Sequence, residues 1–206
     1  MVSITPLRSS VVLALLLLSA CVSKPLTPIE NLQRYQQQLA DIEHWRFSGK
    51  LIMRSAAESE KARVSWQNLS ATDFKIRLSG TLGVGTTYIY GDRDAVRLEQ
   101  SGKETVTAAT PEQLVYEQLG RDIPISHLRF WVRGLPAPDV LSRNVSLADS
   151  GHLSSFEQSG WQLSFSDYRL VDGWRLPGKL EASRDDLSLT LSIASWTIEP
   201  TIGSAL

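Results

Sequence analysis

Proton transfer or metal binding in this sequence would fall to His44, His127 and His152, and their spacing supports neither. Zinc sites commonly draw pairs of ligands a few residues apart, whereas these three are scattered along the chain. His127 lies among apolar residues and reads as a ring that packs or faces water. Asp185 and Asp186 stand together just before an alternating apolar run, which marks a solvated turn and not two carboxylates sharing a proton. Gly80, Gly83 and Gly85 have the wrong spacing for a phosphate loop or a dinucleotide turn, and a hairpin explains them. The sequence has no Gly-x-Ser-x-Gly elbow and no His-Glu-x-x-His pair. Asn68 with Ser70, and Asn144 with Ser146, match a glycosylation spacing without supplying chemistry. Cys21 is the sole cysteine, so its thiol has no partner for an internal disulfide. No catalytic residue, metal or cofactor is assigned, and the chain is expected not to be an enzyme.

The surroundings of Cys21 give its thiol another use. Arg8 is the only charged residue among the first twenty, and the apolar run Val11–Leu18 follows it. A positive start, a short apolar run and small residues at the cleavage point form a secretory signal. The run is too short to span a bilayer, which takes about 20 apolar residues. Leu18, Ser19, Ala20 and Cys21 resemble the bacterial lipobox. That resemblance implies a diacylglycerol on the Cys21 sulfur and a fatty acid on its new amino group. Residues 1–20 are then a signal peptide that is removed, 21–27 a lipidated tether and 28–206 a single domain. The absence of an aspartate just after Cys21 favours the outer membrane, where the anchor is expected in the periplasmic leaflet.

Composition narrows the remaining classes. Taking 20 residues from 206 leaves 186, and losing Arg8 turns 21 basic side chains into 20 against 22 acidic ones. That length suits one domain with a sizeable core. The near-neutral balance gives no footprint for nucleic acid, and there is no polybasic run for anionic lipid.

Hydrophobic periodicity supplies the elements. Thr27, Pro28 and Glu30 form a helix start, and Ile29, Leu32, Tyr35, Leu39 and Ile42 fall on one helical face. From Trp45 the period becomes two: Trp45, Phe47, Gly49, Leu51 and Met53 alternate with Arg46, Ser48, Lys50 and Ile52. Similar alternation runs through Phe74–Leu78, Tyr88–Tyr90, Val96–Glu99, Trp161–Phe165 and Leu187–Ile193. This predicts antiparallel strands with one covered and one wet face. Gly91-Asp92, Ser101-Gly102, Ser159-Gly160 and Asp172-Gly173 mark turns. Thr110 and Pro111 open a second helix that ends at Gly120, and Ser126–Gly134 reads as a short third one. A helix, many strands, two helices and more strands describe a curved antiparallel sheet with helices over one face. Large side chains converge on its concave side. Periodicity alone leaves open whether they fill a core or line a cavity for an apolar ligand.

Leu119–Pro136 is more specific. Its Pro124, Leu128, Trp131, Gly134, Leu135 and Pro136 resemble a stretch characteristic of the LolB family of outer-membrane lipoprotein receptors. Arg121, Asp122 and Ile123 stand where that family often has a further proline. Phe47–Leu51, Ser65–Gln67, Leu78–Gly83 and Leu189–Ile198 resemble other family segments in the same order, although Thr81 replaces a usual proline. The resemblance covers about Trp45 to Ile198.

The resemblance implies a mainly β, α+β fold: a half-open antiparallel β-barrel with a helical lid over an apolar cavity. It implies a monomeric receptor that takes acylated lipoprotein cargo from the periplasmic carrier LolA and places it among outer-membrane phospholipids. It also favours the cavity over the filled core. The cavity candidates are Phe47, Leu51, Trp66, Phe74, Ile76, Leu78 and Tyr88, with Tyr90, Leu114, Leu128, Trp131, Trp161 and Phe165. Leu82, beside Gly83 in a small-residue loop, is expected to protrude and dip into the membrane. The alternative is a lipid-anchored binding or assembly module for another apolar ligand, such as a glycolipid.

Overall fold

The computed structural model describes residues 28–80, 85–138 and 140–199. Cys21, Leu82, Gly83 and the segment 200–206 lie outside the described residues.

Helix α1 (Pro28–Ala40) begins where Pro28 suits the first turn. Six strands follow: β1 (Trp45–Arg54), β2 (Ser59–Asn68), β3 (Phe74–Gly80), β4 (Thr86–Gly91), β5 (Val96–Gln100) and β6 (Val106–Ala108). Helices α2 (Pro111–Leu119) and α3 (Ile125–Trp131) interrupt the strands. Strands β7 (Arg143–Leu147), β8 (Leu153–Gln158), β9 (Trp161–Ser166), β10 (Arg169–Val171) and β11 (Trp174–Leu176) come next. Strands β12 (Lys179–Arg184) and β13 (Leu187–Ile198) complete the order.

Eleven strands form one antiparallel sheet in the order β6-β5-β4-β3-β2-β1-β13-β12-β9-β8-β7. Strands β6 and β7 are its two unjoined edges, so the barrel is half open. Hairpin β10–β11 stands apart, turned at Asp172-Gly173 with both residues at positive φ. Alternating burial along β1, β2, β9 and β13 gives each strand one covered and one wet face.

The sheet bends where its pairing slips. Strands β1 and β13 shift register between Ser48 and Gly49, and a Cβ at Gly49 would collide with the Ser192 carbonyl oxygen. A bulge at this crowded crossing increases local twist and curvature. The helices close over the concave side. Thr110 caps α2 by accepting from the Gln113 amide at 3.1 Å, and Gly120 ends the helix. Helix α1 docks through Leu39, which packs with Leu135 and Leu176 in a small second core.

The segment after α3 ties these layers together. Buried Gln158 accepts from the Trp131 indole at 2.7 Å and the Ala137 amide at 2.8 Å, and donates to the Ala137 and Val140 carbonyls. Buried Arg133 donates to the Leu39 and Ile42 carbonyls at 2.8 and 2.9 Å, at the open end of α1, where a cation complements the helix dipole. Burial and the nearby Arg129 charge push its pKa down to about 9, which keeps it charged near neutral pH. Gly134 has φ +74°, and a Cβ there would stand 2.7 Å from the Tyr168 hydroxyl. The specificity of Leu119–Pro136 thus has a structural basis: it fixes α3, α1 and β8 to one another.

Candidate functional site

Between the concave face of the sheet and helices α2 and α3 lies a cavity of about 350 Å³. Its floor is formed by Phe47, Leu51, Val64, Trp66, Ile76 and Ile89, with Leu180, Leu189 and Leu191 continuing it across β12 and β13. Its roof is Val115 and Leu119 from α2, Ile123 from the connection, and Ile125, Leu128 and Val132 from α3 and its end. The polar lining gathers at the end where β2 and β4 begin and β5 and α2 end: Glu60, Thr87, Gln100, Lys103 and Gln118. The β3–β4 connection leaves from that same end. The cavity is therefore a greasy slot with a polar mouth. Buried Trp66 Nε1 and Glu60 Oε2 have no hydrogen-bond partner among the described residues.

Of the candidates read from the sequence, Phe47, Leu51, Trp66, Ile76, Leu78 and Leu128 line this cavity. The others lie elsewhere. Tyr88 and Tyr90 point to the opposite, convex face, and Ile89 between them faces in. The pairing dictates this, because inward Ile76 stands directly opposite Ile89, which in turn stands opposite Leu98. Residues directly opposite in a ladder share a face, so a phase error of one residue moves the whole set. The two tyrosine rings stack at 5.9 Å under Lys75, whose ammonium lies 4.9 and 5.3 Å from their centroids.

Leu114 is fully buried but does not line the cavity; Val115, Gln118 and Leu119, at helical spacings of three and four, form the lining stripe of α2. Trp131, Trp161 and Phe165 are buried but pack solidly. Trp131 contacts Trp161 at 6.3 Å and is held by Gln158, while Phe165 stacks on Phe156 at 5.4 Å. Phe74 packs against Trp66 at 6.1 Å and covers Gly91. The closed half of the sheet is thus a filled core, and the hollow lies under β1–β5, β12 and β13.

Sequence reasoning missed Ile89, Leu98, Val115, Leu180, Leu189 and Leu191. The alternation around Leu189 and Leu191 was visible, but their depth beside a hollow was not. His127 packs against Trp131, and its Nδ1 lies 3.1 Å from the Ser159 hydroxyl oxygen. Asp185 sits at the β12–β13 turn with φ +54°, and Asp186 pairs with Arg121 at 3.8 Å. Among the described residues no group of three or more His, Cys, Asp or Glu side chains is placed to hold a metal.

An open antiparallel sheet wrapped around an apolar slot and lidded by helices places the chain in a class of half-open β-barrels with an internal cavity. The fold matches that of a LolA superfamily protein from Nitrosomonas europaea, with a TM-score of 0.56 over 86% of this chain and 96% of that one, at 5% identity. A DUF1329 family protein from Desulfovibrio piger matches with a TM-score of 0.54 over 85% of this chain and 92% of that one, at 7% identity. The family model described as Outer membrane lipoprotein LolB matches residues 43–196, and the chain belongs to the LolB family. Outer-membrane lipoprotein LolB of Pseudomonas aeruginosa PAO1 is 40% identical over 192 residues, covering 89% of this chain and 92% of that protein. The protein of the same name from Cellvibrio japonicus is 39% identical over 188 residues, covering 88% and 91%.

Proposed function

We propose that this chain accepts acylated lipoproteins from the periplasmic carrier LolA and inserts them into the outer membrane. The observation that carries the reading is the apolar cavity under the α2–α3 lid, in a chain of the LolB family. A sixteen-carbon acyl chain bared to water costs on the order of 12 kcal/mol, at about 0.8 kcal/mol per methylene. A transfer protein must hide that surface and still release it. A slot lined by leucine, isoleucine and aromatic side chains gains roughly 25 cal/mol per Å² of apolar surface buried. Its hold exceeds the carrier's and falls short of the bilayer's, so direction needs no nucleotide and no catalytic group. The unpartnered Glu60 oxygen, at the polar mouth, suits the amide N–H groups where acyl chains join the cargo. At about 350 Å³ the slot stands at the low end of ligand pockets, which run from about 300 to 1,000 Å³.

In the same reading Cys21 carries the lipid anchor, in the periplasmic leaflet. Leu82, on the connection leaving the polar mouth, enters the phospholipid surface during release. The receptor acts as a monomer. The test is a handover: a soluble form starting after Cys21 is mixed with carrier loaded with an acylated lipoprotein, and the two proteins are separated. Acylated cargo should move and unacylated cargo should not. If neither moves while the protein still binds a glycolipid, the assembly-module alternative replaces this reading.

A further inference from the structure

The convex face of β1–β5 carries a concentration of positive charge that the overall balance conceals. Successive pairings lay its residues in rows across the sheet. One row runs Arg46, Gln67, Lys75, Tyr90, Arg97; the next runs Ser48, Ser65, Arg77, Tyr88, Glu99. A third runs Lys50, Arg63, Ser79, Thr86. Lys61 and Arg54 extend the face toward the mouth. Glu99 is the only acid among these outward strand positions, and it is engaged by Arg97 at 3.2 Å, which also reaches Asp92 in the β4–β5 loop at 3.4 Å.

Lys50 stands directly opposite Arg63, both exposed and without an ion pair among the described residues. Like charges directly opposite in a ladder destabilise it, so folding alone gives this pair no reason to exist. The patch spans four strand spacings, about 19 Å, by eight residue rises, about 27 Å.

We infer that this face is a docking surface for anionic phospholipid, separate from the acyl cavity on the other side of the sheet. Its composition separates a bilayer from a protein partner. Protein interfaces enrich arginine and tyrosine, both present here, but they deplete lysine and serine and gather apolar anchors at their centre. This face has one outward apolar side chain, Ile52 opposite Lys61, and it stands at one end; small hydroxyl side chains stand between the other cations, and the only aromatics are two tyrosines clasping Lys75. Tyrosine and long basic side chains are the residues that settle at a headgroup layer. The face also shares strands β3 and β4 with the connection that holds Leu82, so both bring the same part of the molecule to a surface.

The vesicle measurements use no cargo, so they stand or fall apart from the transport reading. The soluble form starting after Cys21 is sedimented with vesicles of phosphatidylcholine alone, or of an equimolar phosphatidylcholine–phosphatidylglycerol mixture. Binding is expected only to the mixture, and is expected to collapse as salt shortens the screening length from about 10 Å to about 3 Å. A cation near an anionic surface is worth about a factor of five, so the double variant K50S/R63S should bind about thirtyfold more weakly. Its thermal midpoint should be unchanged or raised, because a like-charge pair is removed. R77Q, on the neighbouring strand, should weaken binding about fivefold. Equal binding to both vesicle types overturns the inference. So does a K50S/R63S variant that keeps its vesicle binding but loses cargo handover from the carrier without membranes, which would make this face a protein dock.

Discussion

Ile89→Ala separates the cavity from the opposite face of the sheet. Ile89 is 6% exposed, pairs with Ile76 and Leu98, and lines the slot. Trimming it removes three carbons from the lining. At about 0.8 kcal/mol per buried methylene, a chain that touched them loses up to about 2 kcal/mol of binding, near thirtyfold in affinity. The fold loses about 2 kcal/mol as well, at the low end for such truncations because the site already borders a hollow. For a domain of this size that lowers the thermal midpoint by about 4–8 °C. The assay is displacement of a fluorescent long-chain fatty acid from the soluble form, with a melt on the same preparation. Tyr90→Ala is the control. It strips the ring from under Lys75 and Arg97 but touches no lining atom, so ligand affinity should stay as it was. Equal weakening by the two variants, or weakening by Tyr90→Ala alone, would refute the facing assigned to β4.

Three more predictions test other parts of the account. Leu82→Glu should leave cargo binding intact and abolish delivery into vesicles; loss of both together would make Leu82 a packing residue. Cys21→Ala should release the protein from outer membranes in a carbonate wash, and continued sedimentation would count against the anchor. Gln158→Leu orphans the Trp131 indole N–H and both polar groups of Ala137 in a buried setting. At about 1–3 kcal/mol per orphan it should cost at least about 3 kcal/mol, a fall of roughly 6–12 °C in the midpoint, read by circular dichroism; a smaller drop would mean that water reaches those groups.

Much of the fold is legible in the sequence because hydrophobic period is a local signal. Trp45–Met53 and Leu187–Ile193 alternate as they are buried, and Thr110 and Gly120 bracket α2 as cap and stop. Strands β7 and β8 are less legible: β7 is an exposed edge with no buried residue to set a period, and β8 buries Leu153, Phe156 and Gln158 without alternation.

Phase is harder than period. The Tyr88–Tyr90 segment is apolar on both faces, so only its pairing with β3 shows that Ile89 turns inward. Depth is harder still: Trp131, Trp161 and Phe165 are as apolar as Leu189 and Leu191, yet the first three meet packed side chains and the last two meet a hollow. That distinction depends on where the sheet bends and where the helices sit, which no short window contains. The basic face escapes sequence inspection for a related reason. Its cations alternate with inward residues along four strands, so they never form a run, and acids elsewhere cancel them in the net charge. Only the register of the sheet gathers them.

The central claim is that acyl chains occupy the slot between β1–β5 and the α2–α3 lid. A photo-reactive phenylalanine analogue placed in turn at positions 89 and 90, in protein loaded with a lipoprotein bearing radiolabelled acyl chains, tests it most directly. Labelled adducts should form at position 89 and not at 90, whereas no adduct at 89, or equal adducts at both, would contradict the account.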